Sequence, residues 1–164
     1  MADTAAIIAD LQRRLQRLED KEALASLLNR YCKVADDHQW RAYAETFFED
    51  GSMCFENWGV TRGRDAIQKA ASVEDRFGGL QHSMTNMEFT LGNDGQTARG
   101  TCYLWFAATM DTSKPREHHA FGGHYTFTFA RTDAPEAVGG WLIKTMNLKK
   151  IWAQNEDKEG VFGN

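Results

Sequence analysis

Asp36 stands where one helical stretch ends and the next begins. A carboxylate at such a junction is by default a solvated break or a cap. Asp37 is better placed to cap the following helix, which leaves Asp36 free for other work. Tyr31 lies five residues earlier, about 500° of helix rotation or about 140° past a full turn, so the two side chains converge only if the helix ends or bends near Asp36. His82 opens a strand whose even positions are His82, Met84, Asn86 and Glu88. A lone histidine at a strand start is commonly a surface or satisfied core residue. Held by a carboxylate, its imidazole becomes a base near neutral pH. The sequence alone does not show that Asp36 and His82 meet.

His124 follows Gly122-Gly123 on a later strand. Its face carries Gly122, Thr126 and Thr128, and the opposite face carries Tyr125, Phe127 and Phe129. Either the polar set faces solvent, or His124 lines a cavity. His118-His119 beside Arg116 and Glu117 reads as surface. No metal site is expected, because neither HxxxH nor HExxH occurs and adjacent histidines on a strand point to opposite faces. Dinucleotide, Walker and GxSxG motifs are also missing. Cys32, Cys54 and Cys102 are odd in number and unrelated in spacing, which reads as buried free thiols in a reducing cytoplasm.

Elements of two kinds must position these groups. Ile7, Ile8, Leu11, Leu15 and Leu18 recur at helical steps, Asp20 is a candidate cap for a continuation, and Leu24, Leu27, Leu28, Tyr31 and Val34 carry the face onward. Trp40, Tyr43, Ala44, Phe47 and Phe48 share one face of a predicted second helix, with Gly51 as a left-handed cap. A short strand over 52–56 and a third helix from Gly63-Arg64-Asp65 follow. Beyond Gly78-Gly79 the pattern becomes long strands: 82–91, 97–110, 116–131 and 141–152, divided by turns such as Asn93-Asp94-Gly95. Gly122-Gly123 predicts a bulge. Helices first and a meander second make an α+β domain. A curved antiparallel sheet wrapped around the N-terminal helices forms a half-open cone, whose mouth is a natural pocket.

With 164 residues the chain fits a single domain over 1–164 that is large enough for a core with an internal pocket. The core is expected over about 18–152. A polar, mobile tail is expected over 156–164, with Val161 and Phe162 able to fold over the cone mouth. A net charge of −4 excludes a general nucleic-acid binder. No apolar run approaches the roughly 18 residues of a membrane span, so no membrane partner is expected. Met1-Ala2-Asp3-Thr4 lacks the basic-then-apolar layout of a secretory leader, and a cytoplasmic location is expected.

The element order and four motifs resemble the SnoaL-like branch of the nuclear-transport-factor-2-like superfamily, whose fold is a cystatin-like α+β barrel. The motifs are Leu27-Leu28-Asn29-Arg30-Tyr31 through Asp36-Asp37-His38-Gln39-Trp40 to Asp50-Gly51, then Gly63-Arg64-Asp65-Ala66-Ile67, His82-Ser83-Met84-Thr85-Asn86 and Gly139-Gly140-Trp141-Leu142-Ile143. The likeness runs from Leu18 to Trp152 and is nearest to the group of bile-acid 7α-dehydratase, hexachlorocyclohexane dehydrochlorinase and scytalone dehydratase. Those enzymes eliminate water or HCl without a cofactor by an Asp–His pair, and are commonly trimers. The resemblance places the pair at Asp36 and His82 and matches Tyr31 to a tyrosine of the bile-acid enzyme. That enzyme carries a further acid on the second long strand, where this chain has Phe106 between Trp105 and Ala107.

The resemblance therefore implies a cofactor-independent lyase acting by dehydratase-type elimination on a small hydroxylated cyclic or aromatic substrate. His82 is the expected base, Asp36 its holder, Tyr31 a hydrogen-bond donor and His124 an assisting acid. Phe55, Trp58, Met84, Leu104, Phe106 and Met146 are the expected substrate-binding residues, suited to a flat hydrophobic ligand. A homo-oligomer, with a trimer favoured, is the expected assembly. Alternatives are an aldehyde-releasing lyase on an aryl diol, a ketosteroid-isomerase-like isomerase, and a non-catalytic ligand-binding or oligomerisation module.

Overall fold

The apolar face from Leu24 to Val34 buries one side of a long helix, α1 (Thr4–Asp36), against the concave side of a sheet. The computed structural model describes residues 4–55, 59–158 and 160–162. After α1 come α2 (Trp40–Ala44), β1 (Phe47–Phe55), β2 (Gly59–Arg62), α3 (Arg64–Ala71) and a 3₁₀ helix (Ser72–Arg76). Four long strands complete the chain: β3 (Gly79–Leu91), β4 (Thr97–Thr109), β5 (His118–Arg131) and β6 (Trp141–Gln154). The six strands form one curved, unclosed sheet in the order β2-β1-β6-β5-β4-β3. The β1–β6 pair is parallel, and every other neighbouring pair is antiparallel.

Strand alternation fills the concavity. On β4 the residues Ala98, Cys102, Leu104, Phe106 and Ala108 point inward, while Tyr103 and Trp105 point out. On β5 the inward set is Phe121, Tyr125, Phe127 and Phe129. The predicted glycine bulge is present, with its extra residue on the partner strand: Gly122 pairs with Trp152 and Gly123 with Lys150, leaving Ile151 over. Gly122 is needed there, because a Cβ would fall 2.2 Å from the Trp152 ring.

Several local expectations give way. Asp20 caps nothing. It lies inside the continuous α1, buried, and accepts hydrogen bonds from Arg131 and from Trp141 Nε1. The guanidinium of Arg131 also lies 4.5 Å from the Trp141 ring centroid. Phe47 and Phe48 belong to β1 rather than to the second helix. Phe47 pairs with Ile143 of β6 and is wholly buried, and that pairing outweighs the helical spacing. Gly51 serves an irregularity in β1, where residues 47 and 52 pair with 143 and 145, instead of a left-handed cap. The face of Ile7, Ile8, Leu11, Leu15 and Leu18 is exposed in this chain alone. In the described part of the tail, Asp157 and Phe162 are buried, and Phe162 lies at the apolar cavity as the sequence allowed. No helix among the described residues is long and apolar enough to cross a membrane.

Candidate active site

Helix α1 ends at Asp36, which is what lets its last carboxylate turn toward the sheet. His82 sits near the start of β3, directly across from Phe106 on β4. Its Nδ1 lies 2.7 Å from Asp36 Oδ1, and its backbone N–H donates to both Asp36 oxygens at 3.0 and 3.1 Å. The His82 side chain is 8% exposed and that of Asp36 25%. A carboxylate at Nδ1 fixes the tautomer with the proton on that nitrogen, leaving Nε2 as the acceptor. The Phe106 ring packs 4.8 Å from the imidazole, centroid to centroid, and the Tyr31 ring 6.4 Å.

Beside His82 lies a cavity of about 30 Å³. Of the expected residues, Tyr31, His82, Phe55, Leu104, Phe106 and Met146 line it. Tyr43, Glu74, Tyr125 and Phe162 line it as well. The three tyrosines form a hydroxyl chain: Tyr43 donates to Tyr31 at 2.8 Å, and the Tyr31 and Tyr125 oxygens are 3.3 Å apart. Burial raises all three phenols well above the usual tyrosine range, so they stay neutral and remain donors. Burial also pushes the Cys102 thiol up to about 12, and raises that of Cys32, so neither is a nucleophile.

The cavity is nearly full. Its free space suits about two water molecules at ~10–15 Å³ each. The occupant is Phe162, whose ring stacks on Phe77 at 5.6 Å and on His119 at 5.9 Å and touches Phe106 at 4.9 Å. Its backbone N–H donates to Asp157 Oδ2 at 2.7 Å, which pins the turn that carries it.

Two expected site residues fall elsewhere. His124 is exposed on the outer face of the sheet, stacked on Tyr103 at 4.8 Å. The bulge residue is on β6, so β5 keeps its alternation and His124 stays with the outward set. Met84 packs against the core but does not line the cavity. Among the described residues of β3, His82 alone borders the cavity, and Met84, about 7 Å further along the strand, packs against the core beyond it. Trp58 lies outside the described residues.

Glu74 carried no signal in the sequence. Ser72-Val73-Glu74-Asp75-Arg76 reads as a polar run, and nothing separates Glu74 from Asp75. The 3₁₀ helix separates them: Asp75 is exposed and takes the Trp40 indole N–H, while Glu74 turns inward. Tyr125 did carry a signal, as a tyrosine within an apolar stripe whose hydroxyl needs a partner. Among the described residues, no three or more His, Cys, Asp or Glu side chains are grouped to hold a metal ion.

The sequence model of the SnoaL-like domain matches residues 16–147. No curated protein matches the chain. Solved structures share its fold. A cystatin-fold protein related to nuclear transport factor 2, from Novosphingobium aromaticivorans, is 21% identical over 100% of this chain and 99% of its own, with a TM-score of 0.73. A scytalone dehydratase-like protein from the same species is 19% identical over 86% and 90%, with a TM-score of 0.74. Hexachlorocyclohexane dehydrochlorinase LinA-type3 from Novosphingobium barchaimii is 17% identical over 88% and 95%, with a TM-score of 0.72.

Proposed function

The chain belongs to the SnoaL-like domain family, and on that premise we propose that it is a cofactor-independent lyase that performs a dehydratase-type elimination on a small hydroxylated aromatic or cyclic substrate. The observation that carries this reading is the 2.7 Å contact between His82 Nδ1 and Asp36 Oδ1 at the wall of an aromatic cavity. A carboxylate-held imidazole at a cavity wall is suited to take a proton near neutral pH, which favours acid–base chemistry over a purely structural role.

In this reading His82 Nε2 takes a proton from carbon or from a hydroxyl. Asp36 stabilises the imidazolium that forms. Tyr31, its oxygen already accepting from Tyr43, donates its own proton in a hydrogen bond to a substrate carbonyl or leaving hydroxyl. Acid–base help of this kind supplies about 10²–10⁴-fold, and positioning in the cavity supplies the rest. The Phe162 ring, in place among Phe77, Phe106 and His119, supports a flat aromatic group as the ligand portion that replaces it. Tyr103, Trp105 and Trp152 on the outer sheet face supply apolar surface for the trimer that belongs to the same proposal. The free Cys32, Cys54 and Cys102 fit a reducing cytoplasm.

The test is product mass from a panel of hydroxylated aromatics and steroids. Loss of one water supports elimination, and loss of an aldehyde supports the aryl-diol lyase. An unchanged mass with a shifted double bond supports isomerisation. His82→Ala should abolish turnover and Asp36→Asn should lower it by about 10²–10⁴-fold, each in a protein that still folds, and normal turnover by either removes the pair from the mechanism.

A further inference from the structure

An elimination that expels hydroxide needs an acid as well as a base, and His124 on the outer face is out of reach of the cavity. The inward face of the 3₁₀ helix carries another candidate. Glu74 is 8% exposed and lines the same small cavity as His82. Its Oε2 has no hydrogen-bond partner among the described residues. A buried carboxylate with a bare oxygen is far more costly than a buried carboxylic acid, whose O–H here has the cavity to point into. From this placement we propose that Glu74 is the general acid of the site, held protonated so that it can hand a proton to the departing hydroxyl.

The proposal rests on the lyase reading above. In the step, the substrate C–H bond breaks and its proton goes to His82 Nε2. The freed electron pair forms the C=C bond, the C–O bond breaks, and the oxygen takes the Glu74 proton and leaves as water. Glu74 ends as a carboxylate and His82 as an imidazolium, and one proton passed back through solvent restores both.

The surroundings fit a carboxyl kept neutral. Burial raises its pKa to about 7, with His82 opposing the rise and Asp36 adding to it. The titratable groups around the cavity are Tyr31 with Asp36 behind it on α1, Tyr43 on α2, His82 on β3 and Tyr125 on β5. The rest of the wall comes from apolar side chains of β1, β4, β5 and β6 and from Phe162, and carries no charge. No cation among these lining residues other than protonated His82 would pull Glu74 into its ionised form.

The experiment compares Glu74→Gln with wild type on two substrates. One is the panel alcohol that wild type dehydrates. The other is its analogue with chlorine in place of the leaving hydroxyl, which departs as chloride and needs no proton. The expected result is a fall in kcat of about 100-fold on the alcohol and less than about threefold on the chloride, in line with the worth of one acid. The high-pH fall in the alcohol's kcat should vanish in the variant. His82→Ala should lose both substrates. Glu74→Met, which replaces the carboxyl with an apolar chain of similar length, serves if the amide disturbs folding. Equal losses on both substrates, or no loss on the alcohol, overturn the role of Glu74 while leaving His82 in place. Survival of both activities in His82→Ala overturns the lyase reading itself.

Discussion

The carboxylate of Asp36 holds His82 at three points, the ring Nδ1 at 2.7 Å and the backbone N–H at 3.0 and 3.1 Å. One side chain thus holds both the β3 backbone at His82 and the ring nitrogen Nδ1, which leaves Nε2 as the acceptor. The two jobs are separable. Asp36→Asn keeps an acceptor for the backbone but no longer stabilises an imidazolium. It should lower kcat by about 10²–10⁴-fold with little change in Tm. Asp36→Ala loses both and should also cost about 1–3 kcal/mol of stability. Steady-state kinetics and thermal melts on the two variants check this. Equal kcat in Asp36→Asn and wild type would contradict it.

Tyr31 sits at the centre of the hydroxyl chain from Tyr43 to Tyr125. Tyr31→Phe keeps the ring and its packing but leaves the Tyr43 hydroxyl only Met53 Sδ, at 3.4 Å, as its acceptor. It should lower stability by about 1 kcal/mol, and lower kcat more than it raises KM, because the lost hydrogen bond serves the leaving or carbonyl oxygen. A change confined to KM would assign Tyr31 to binding alone.

Glu74 links stability to pH. Burial raises its carboxyl from the ordinary 4.5 to about 7, so between these values the folded chain holds a proton that the unfolded chain has lost. Its contribution is fully present below about pH 4.5 and disappears as pH rises through about 7. Wild-type Tm should therefore fall across that window, and Glu74→Gln should flatten the fall. Parallel Tm–pH curves for the two proteins would contradict the buried, protonated carboxyl.

Much of the site was legible in the sequence because its parts lie at element boundaries. Asp36 reads as the end of a helix and His82 as the start of a strand, and a fold that brings those ends together brings the side chains together. The pocket wall was legible wherever strand alternation holds, as at Leu104, Phe106 and Met146. Alternation put His124 opposite Tyr125, Phe127 and Phe129, and because the extra residue of the bulge is Ile151 of β6, β5 stays regular and His124 stays outside. Phe47 and Phe48 had helical spacing, yet a parallel partner on β6 decided their form. Glu74 was illegible because burial of one acid in a charged run depends on how a five-residue 3₁₀ helix is rotated. No periodicity records that.

The outward place of His124 carries its own prediction. His124→Ala should leave kcat and KM within about twofold of wild type, as surface changes remote from a site do. A large loss of turnover would return it to the mechanism.

Phe162 occupies the space a ligand needs, so it competes with one. Phe162→Ala should bind a flat aromatic probe such as 2-naphthol several-fold more tightly, measured by calorimetry, and should lower Tm, because a ring buried against Phe77, Phe106 and His119 is lost. Weaker binding in the variant would mean that the ring covers a bound ligand instead of displacing it.

The most direct measurement is the mass of the product formed from the hydroxylated-aromatic panel by wild type and by His82→Ala, side by side. The account predicts a product one water lighter with wild type and unreacted substrate with the variant. The same dehydrated product from both proteins would contradict it.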